Sequence, residues 1–175
     1  PWHQLSEDSC SVDYEPTTYT AIEYVLSHVT PTPNDGFVDY GCGLGRGLAM
    51  AVKSGFPRAI GVELSADLCR AAEDNLRRSL GAEAKSVKIH CADASAWKTP
   101  DDATVIYLFN PFRGRVLEQT LDQIEASLVR RPRRLTVLYL QPLSDPNTVA
   151  EREWLETVHE ETVEGIRFCV FRRQP

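Results

Sequence analysis

The sequence predicts an open α/β domain in which a mostly parallel sheet is covered by helices on both faces, and three observations carry that prediction. Strand and helix signals alternate from residue 37 to residue 91 and again from residue 104 to residue 140. Two of the strand signals, TVIYLF at 104–109 and LTVLYL at 135–140, are continuously apolar, as parallel strands buried on both faces require, whereas a half-solvated strand would alternate. An acidic residue followed by three glycines, in FVDYGCGLGRGL at 37–48, joins the first strand to the next helix, which is how ligand-binding α/β sheets open. A chain of 175 residues suits one such core.

The elements follow in order. Thr17 or Thr18 caps a first helix whose Ile22, Val25, Leu26 and Val29 share one face, and Pro31 and Pro33 stop it. PTPNDG is a turn, and strand one is 37–40. A helix at 45–54 and a second strand at 58–63 complete a strand-helix-strand unit. Ser65 then caps a helix with Asp67 in its positive first turn, Leu68, Ala72 and Leu76 on one face, Arg77 and Arg78 in its negative last turn and Gly81 as its stop. Strand three is 86–91 and strand four 104–109; Leu117, Leu121, Ile124 and Leu128 mark the helix between strands four and five. Asp145 and Pro146 open a short helix through Trp154, and 155–163 with 165–173 read as a hairpin closing the sheet. No repeat or linker divides residues 1–175, so one domain is expected, with residues 1–30 as an amino-terminal helix and lid.

Composition narrows the function classes. Lys and Arg total 19 against 25 Asp and Glu, and the net charge of −6 gives no global attraction to phosphate or anionic lipid. Arg130, Arg131, Arg133 and Arg134 nevertheless cluster before strand five; the start of that strand lies opposite the expected ligand edge, so they are read as a solvated or partner-binding surface. No apolar run is long enough to span a bilayer, and the polar, acidic opening residues are unlike a signal peptide, so a cytoplasmic address is expected. The five cysteines contain no CxxC pair and the four histidines are far apart in sequence, so neither a disulfide framework nor a metal site is expected. His90 and His159 read as strand residues, and no oligomeric state is indicated.

Chemistry concentrates at the strand ends. Gly41, Gly43 and Gly45 let the backbone turn sharply and approach a ligand, with a helix amino terminus behind it. A dinucleotide fingerprint is not met: counting from Gly41 puts Arg46 at the third glycine position, and counting from Gly43 puts Leu48 there. Asp39 suits a ligand carrying an ammonium group better than a pyrophosphate. Glu63, at the end of strand two, is placed to accept the hydroxyls of a ribose, and Asp93 follows strand three. Three acids around a glycine loop describe a site for an amino-acid-bearing nucleoside.

With those residues in view, the sequence resembles the class I S-adenosylmethionine-dependent methyltransferases over essentially its whole length. VDYGCGLGR is similar to the family's first motif, GVELS to its ribose-binding acidic motif, CADAS to its adenine-contacting motif and LFNPF to its fourth motif. The resemblance implies a Rossmann-like sheet of order 3-2-1-4-5-7-6 and S-adenosylmethionine as cofactor. It implies a cofactor site formed by Asp39, Gly41, Cys42, Gly43, Gly45, Glu63, Leu64, Asp93 and Ala94. On the acceptor side it implies Asn110, Pro111 and Phe112, together with Tyr14 and Tyr19 from the region that folds over the cofactor.

The fourth motif departs from the family's Asn-Pro-Pro-aromatic form by one proline, which brings the ring a residue nearer to Asn110. The sequence is similar to a branch bearing FNPF and an amino-terminal Tyr-x-Pro-[Ser/Thr], here Tyr14, Pro16 and Thr17. The resemblance implies methyl transfer to nitrogen ahead of oxygen or carbon; the position of the arginine cluster and the net charge of −6 favour a protein or small-molecule acceptor ahead of nucleic acid, and no membrane partner is expected. Tyr19 is open between an aromatic face near the sulfonium and a place in the packed helix stripe, and Glu15 between an acceptor contact and a solvated acid. Cys42 is expected to pack against the sheet and not to act as a nucleophile. Two other readings of the chain remain: a non-catalytic S-adenosylmethionine-binding module and a nicotinamide-dependent reductase, the latter disfavoured by Arg46 and Leu48.

Overall fold

A computed structural model describes residues 18–110, 112–140 and 146–173. Its helices are α1 (Tyr19–Leu26), α2 (Arg46–Lys53), α3 (Ala66–Leu80), α4 (Gly114–Arg130) and α5 (Pro146–Ala150), with a short 3-10 helix at Gly81–Ser86. The strands are β1 (Phe37–Tyr40), β2 (Ala59–Glu63), β3 (Val87–Cys91), β4 (Val105–Phe109), β5 (Leu135–Leu140), β6 (Glu156–Val163) and β7 (Ile166–Arg173). They form one sheet of order β3-β2-β1-β4-β5-β7-β6. β1 to β5 pair in parallel, and the β6–β7 hairpin joins through antiparallel pairing of β7 with β5.

Alternation along the strands divides the core into two layers. On one face Phe37, Val105, Tyr107, Leu138 and Phe168 pack with Ile22, Val25 and Leu26 of α1, Leu48 and Ala51 of α2 and Leu76 of α3. On the other, Val38, Tyr40, Ile106, Leu108, Val137 and Tyr139 pack with Leu117, Leu121, Ile124 and Leu128 of α4. The continuous apolar runs are thus explained: each central strand feeds both layers, so neither of its faces meets water. Ser65 caps α3 as its sequence suggested, its side chain accepting from the Leu68 N–H, an interaction of about 1 kcal/mol.

Element ends differ by small amounts. The helix after strand one starts at Arg46 with Gly45 as its cap, and β2, β3, β4, β6 and β7 each begin one residue later than the pattern suggested. The largest difference is α5, which ends at Ala150 and not at Trp154. Residues beyond it turn instead, with the Arg152 N–H bonding the Val149 carbonyl and the Leu155 N–H the Arg152 carbonyl. The Arg152 side chain holds this turn on α4, through Asp122 at 2.6 Å and the Glu118 carbonyl at 3.1 Å.

The arginine cluster is corrected in part. Arg131 and Arg134 are exposed, but Arg130 donates to Asp101 at 2.7 Å and to the Thr99 carbonyl at 2.9 Å. Arg133 is half-buried and donates to the carbonyls of Ala103, Ser127 and Pro100 and to the Ser127 hydroxyl. Two of the four cations therefore clamp the 99–103 turn to the end of α4. No helix among the described residues is long and apolar enough to cross a membrane.

Candidate functional site

Parallel pairing aligns the carboxyl ends of β3, β2, β1 and β4: Tyr40 is level with Val62 and Leu108, and Glu63 with Cys91. The strand-end acids are brought to this edge. After β1 the chain turns at once, because the Gly41 and Cys42 N–H groups both bond the Val62 carbonyl, at 2.8 and 3.2 Å. Gly41, Gly43 and Gly45 all have positive φ. At Gly45 the requirement is double: φ is 81°, and a Cβ would meet the Leu76 side chain at 3.3 Å. This loop delivers the amino terminus of α2 to the sheet edge.

Asp39 lies inside the domain, 3% exposed, on the α2 side of β1. Burial, and then the charge of Glu63, push its carboxyl up to about 8, since a carboxylate removed from water favours its protonated form. Its close neighbour is Gly47, where an added Cβ would come within 2.6 Å of Asp39 Oδ2. Gly47 was not singled out from the sequence; its signal, a fourth glycine in the first turn of the helix, is visible only beside the three others.

Glu63 is oriented by the backbone. Its Oε2 accepts from the Gly43 N–H at 3.0 Å and its Oε1 from the Ser65 N–H at 2.9 Å, so the acid both closes the glycine loop and caps the turn into α3. Leu64, beside it, is 67% exposed, an apolar surface at the mouth of the site. Asp93 is exposed, and its Oδ1 accepts from the N–H and hydroxyl of Ser95 at 2.9 and 2.7 Å, which hold its carboxyl below the usual carboxylate range. Ala94 is buried against the α4-side core.

Cys42 is buried, and its Sγ lies where a Cβ on Gly61 would stand 2.7 Å away. Its side chain fills the gap over β2, with burial raising its thiol pKa, and only its backbone belongs to the loop. Tyr19 is 56% exposed and lies outside the packed stripe of α1, which is Ala21, Ile22, Val25 and Leu26. Its ring stands under the Arg46 guanidinium, 5.4 Å from the centroid, a cation–π contact that ties the start of α1 to the start of α2. The cap and the polar face of α1 also reach the hairpin, where Thr18 donates to Glu164 at 2.9 Å and Tyr24 to Glu161 at 2.8 Å.

Asn110 leaves β4 at φ 37°, a left-handed conformation uncommon outside glycine, and is 5% exposed. Its N–H bonds the Leu140 carbonyl at 3.1 Å. Its Oδ1 is buried without a hydrogen-bond partner among the described residues, and such an acceptor is costly to leave unpaired. Phe112 is buried in the α4-side core. Tyr14, Glu15, Pro16, Thr17 and Pro111 lie outside the described residues. His90 and His159 are on strands, as expected, and among the described residues no cluster of His, Cys, Asp and Glu forms a metal centre.

The donor set fits an amino-acid-bearing nucleoside: a backbone-aligned carboxylate, an apolar shelf beside it, and a buried acid with an elevated pKa behind the glycine loop. A family profile described as methyltransferase domain matches residues 37–130. No curated protein matches the sequence significantly. Among solved structures, the fold is similar to an RNA methyltransferase from Salinibacter ruber in complex with S-adenosylhomocysteine, at TM-score 0.69, 21% identity and coverage of 91% of this chain and 94% of that one. A protein of the NADB-Rossmann superfamily from Streptococcus agalactiae gives 0.69 at 16% identity, covering 93% of this chain and 70% of the other. Magnesium protoporphyrin IX methyltransferase from Synechocystis, with S-adenosylmethionine bound, gives 0.65 at 10%, covering 89% and 77%. The profile spans more than half of the sequence and begins at β1, on the segment that builds the glycine loop and both acids, so the chain belongs to the methyltransferase-domain family and is a class I S-adenosylmethionine-dependent methyltransferase.

Proposed function

We propose that the carboxyl edge of this sheet holds S-adenosylmethionine through Asp39, the Gly41–Cys42–Gly43–Gly45 loop, Glu63, Leu64, Asp93 and Ala94, and directs its methyl group to an acceptor nitrogen on a protein or small molecule. The observation that carries the reading is the Glu63 carboxylate. One lone pair on each oxygen is taken by a backbone N–H, and the second on each suits the two hydroxyls of a ribose. Leu64 offers an apolar face to a purine, and Asp39 offers a carboxylate to an ammonium group, whose charge would draw its pKa back down. When bound, S-adenosylmethionine supplies a methyl group made electrophilic by its sulfonium charge.

On this reading the chain's remaining work is to align an acceptor and exclude water from it. The buried Asn110 Oδ1 supports nitrogen as the acceptor atom, because a carbonyl oxygen at the end of β4 that is unpaired among the described residues suits an amino N–H. Phe112 then acts from the core behind Asn110, Tyr19 belongs with Arg46 to the rim, and Pro111 and Tyr14 keep their place in the proposal on motif grounds alone. A protein or small molecule is favoured over nucleic acid by the net charge of −6 and by the engagement of Arg130 and Arg133 within the fold.

Calorimetry on Glu63→Ala tests the reading. Loss of a charge-assisted contact is expected to weaken S-adenosylmethionine binding by about 1.5–3 kcal/mol; unchanged affinity in a folded variant would overturn the assignment. A screen with labelled methyl groups over proteins, small amines and nucleic acids identifies the acceptor, and label transferred only to nucleic acid would reverse the acceptor class proposed.

A further inference from the structure

Two thiols lie beside the loop that carries Glu63. Cys69 is in the first turn of α3 and buried, whereas Cys91 ends β3 and is exposed. The parallel register sets Cys91 opposite Glu63, and the Cys69 N–H bonds the Ser65 carbonyl at 2.9 Å. The Cys69 thiol donates to the Glu63 carbonyl at 3.5 Å and the Cys91 thiol to the Leu64 carbonyl at 3.7 Å. The pair thus takes consecutive carbonyls of one turn, the turn whose Ser65 N–H aligns the Glu63 carboxylate. Burial, and then hydrogen bonding and charge from Cys91, push the Cys69 thiol up to about 12. Neither has a part in the methyl transfer proposed above.

We propose that Cys69 and Cys91 form a reversible disulfide that lowers the affinity of the neighbouring nucleoside edge when the protein is oxidised. This rests on the reading that Glu63 and Leu64 hold the nucleoside. The oxidant is a peroxide. Exposed Cys91 reacts first, its sulfur attacking one oxygen of hydrogen peroxide; the O–O bond breaks, leaving a sulfenic acid and one water. The sulfur of Cys69, protonated and shielded until then, attacks the sulfenic sulfur; the S–O bond breaks and a second water leaves with the Cys69 proton. In sum, two thiols and one peroxide give one disulfide and two waters, each sulfur losing one electron and the peroxide gaining two. A dithiol reverses the bond by exchange. Oxidation removes both S–H donors from the Glu63 and Leu64 carbonyls and ties the first turn of α3 to the end of β3, displacing the turn that sets the Glu63 carboxylate.

The test uses the full chain carrying Cys10→Ser, so that any linkage is confined to the remaining cysteines. The protein is treated with hydrogen peroxide, alkylated and mapped by peptide mass spectrometry, and its affinity for S-adenosylmethionine is measured before oxidation, after it and after dithiothreitol. A Cys69–Cys91 cross-link is expected, with a dissociation constant raised about tenfold or more, comparable to losing one charge-assisted hydrogen bond, and restored by dithiothreitol. Cys91→Ser, a surface change, should bind as the parent does and ignore peroxide; Cys69→Ser should lose the cross-link as well. Sulfinic acid at Cys91 with Cys69 still alkylatable would overturn the proposal, as would a cross-link that leaves affinity unchanged or an affinity loss that persists in Cys91→Ser. Failure of the reduced protein to bind S-adenosylmethionine would remove the regulatory role together with the proposed function, while the peptide map would still decide the thiol pair.

Discussion

Asp39 is an acid that the fold holds against its ordinary chemistry. Between the usual carboxylate range and about pH 8 the unfolded chain has released this proton while the folded chain keeps it, so stability falls as pH rises through that window, by at most about 1.4 kcal/mol per unit. Replacing Asp39 by Asn removes the titration and keeps the shape. Urea unfolding of Asp39→Asn is expected to show a flatter pH dependence than the parent between about pH 5 and 8, with weaker S-adenosylmethionine binding; an equally steep dependence would place the proton elsewhere. Gly47 is the steric counterpart of this acid. A methyl group there would enter the space of Asp39 Oδ2, at 2.6 Å, and of the Tyr107 ring, at 3.2 Å, so Gly47→Ala is expected to lower unfolding free energy by about 1–3 kcal/mol, the ordinary cost of overpacking. A variant as stable as the parent would show that α2 can shift away from β1.

At the scale of elements, the sequence was most legible where one strand or helix carries its own signal. β4 and β5 declared themselves by unbroken apolar runs, and α3 by a cap, a face, a charged last turn and a terminal glycine that all agree. The placement of the three acids was legible to the same depth: Asp39 lies in β1, Glu63 ends β2 and Asp93 follows β3, strands whose order places their carboxyl ends together, so position in sequence translated into position in space. What could not be read depends on partners remote in sequence. Arg133 looks like surface charge in RRPRR, yet it is bonded to carbonyls of Pro100 and Ala103 that belong to another connection. The end of α5 was misjudged because Arg152 finds Asp122 on α4, and the turn this contact holds replaces a further helical turn. The proximity of Cys69 and Cys91 likewise exists only through the β2–β3 register. Arg133→Ala is accordingly expected to destabilise the fold, since the Ala103 carbonyl loses its guanidinium donor and a buried carbonyl left unpaired costs about 1–3 kcal/mol, while the methyl-transfer rate of the folded enzyme is unchanged. Urea midpoints paired with turnover distinguish this from a substrate contact, which would raise KM at undiminished stability.

For the molecule as a whole, the question is which edge the acceptor meets. The nucleoside-binding residues proposed above follow the carboxyl ends of β1, β2 and β3, while Arg131 and Arg134 precede β5 at the opposite edge. A six-residue strand separates the two edges by about 20 Å. A polyphosphate chain gripped by these arginines would have to pass around a domain of net charge −6 before it offered a base to the methyl group. Phosphate binding of that kind leaves a thermodynamic signature, because each neutralised phosphate releases counterions and makes affinity fall steeply with salt. Arg131 and Arg134 are the informative pair, being exposed, whereas replacing Arg130 or Arg133 would loosen the 99–103 turn and confuse binding with folding. The double variant Arg131→Ser with Arg134→Ser is therefore expected to keep the parent's unfolding midpoint, its KM for the acceptor and a shallow salt dependence. A steep salt dependence in the parent that the double variant loses would instead establish an acceptor carried on a nucleic acid that wraps from the amino edge of the sheet.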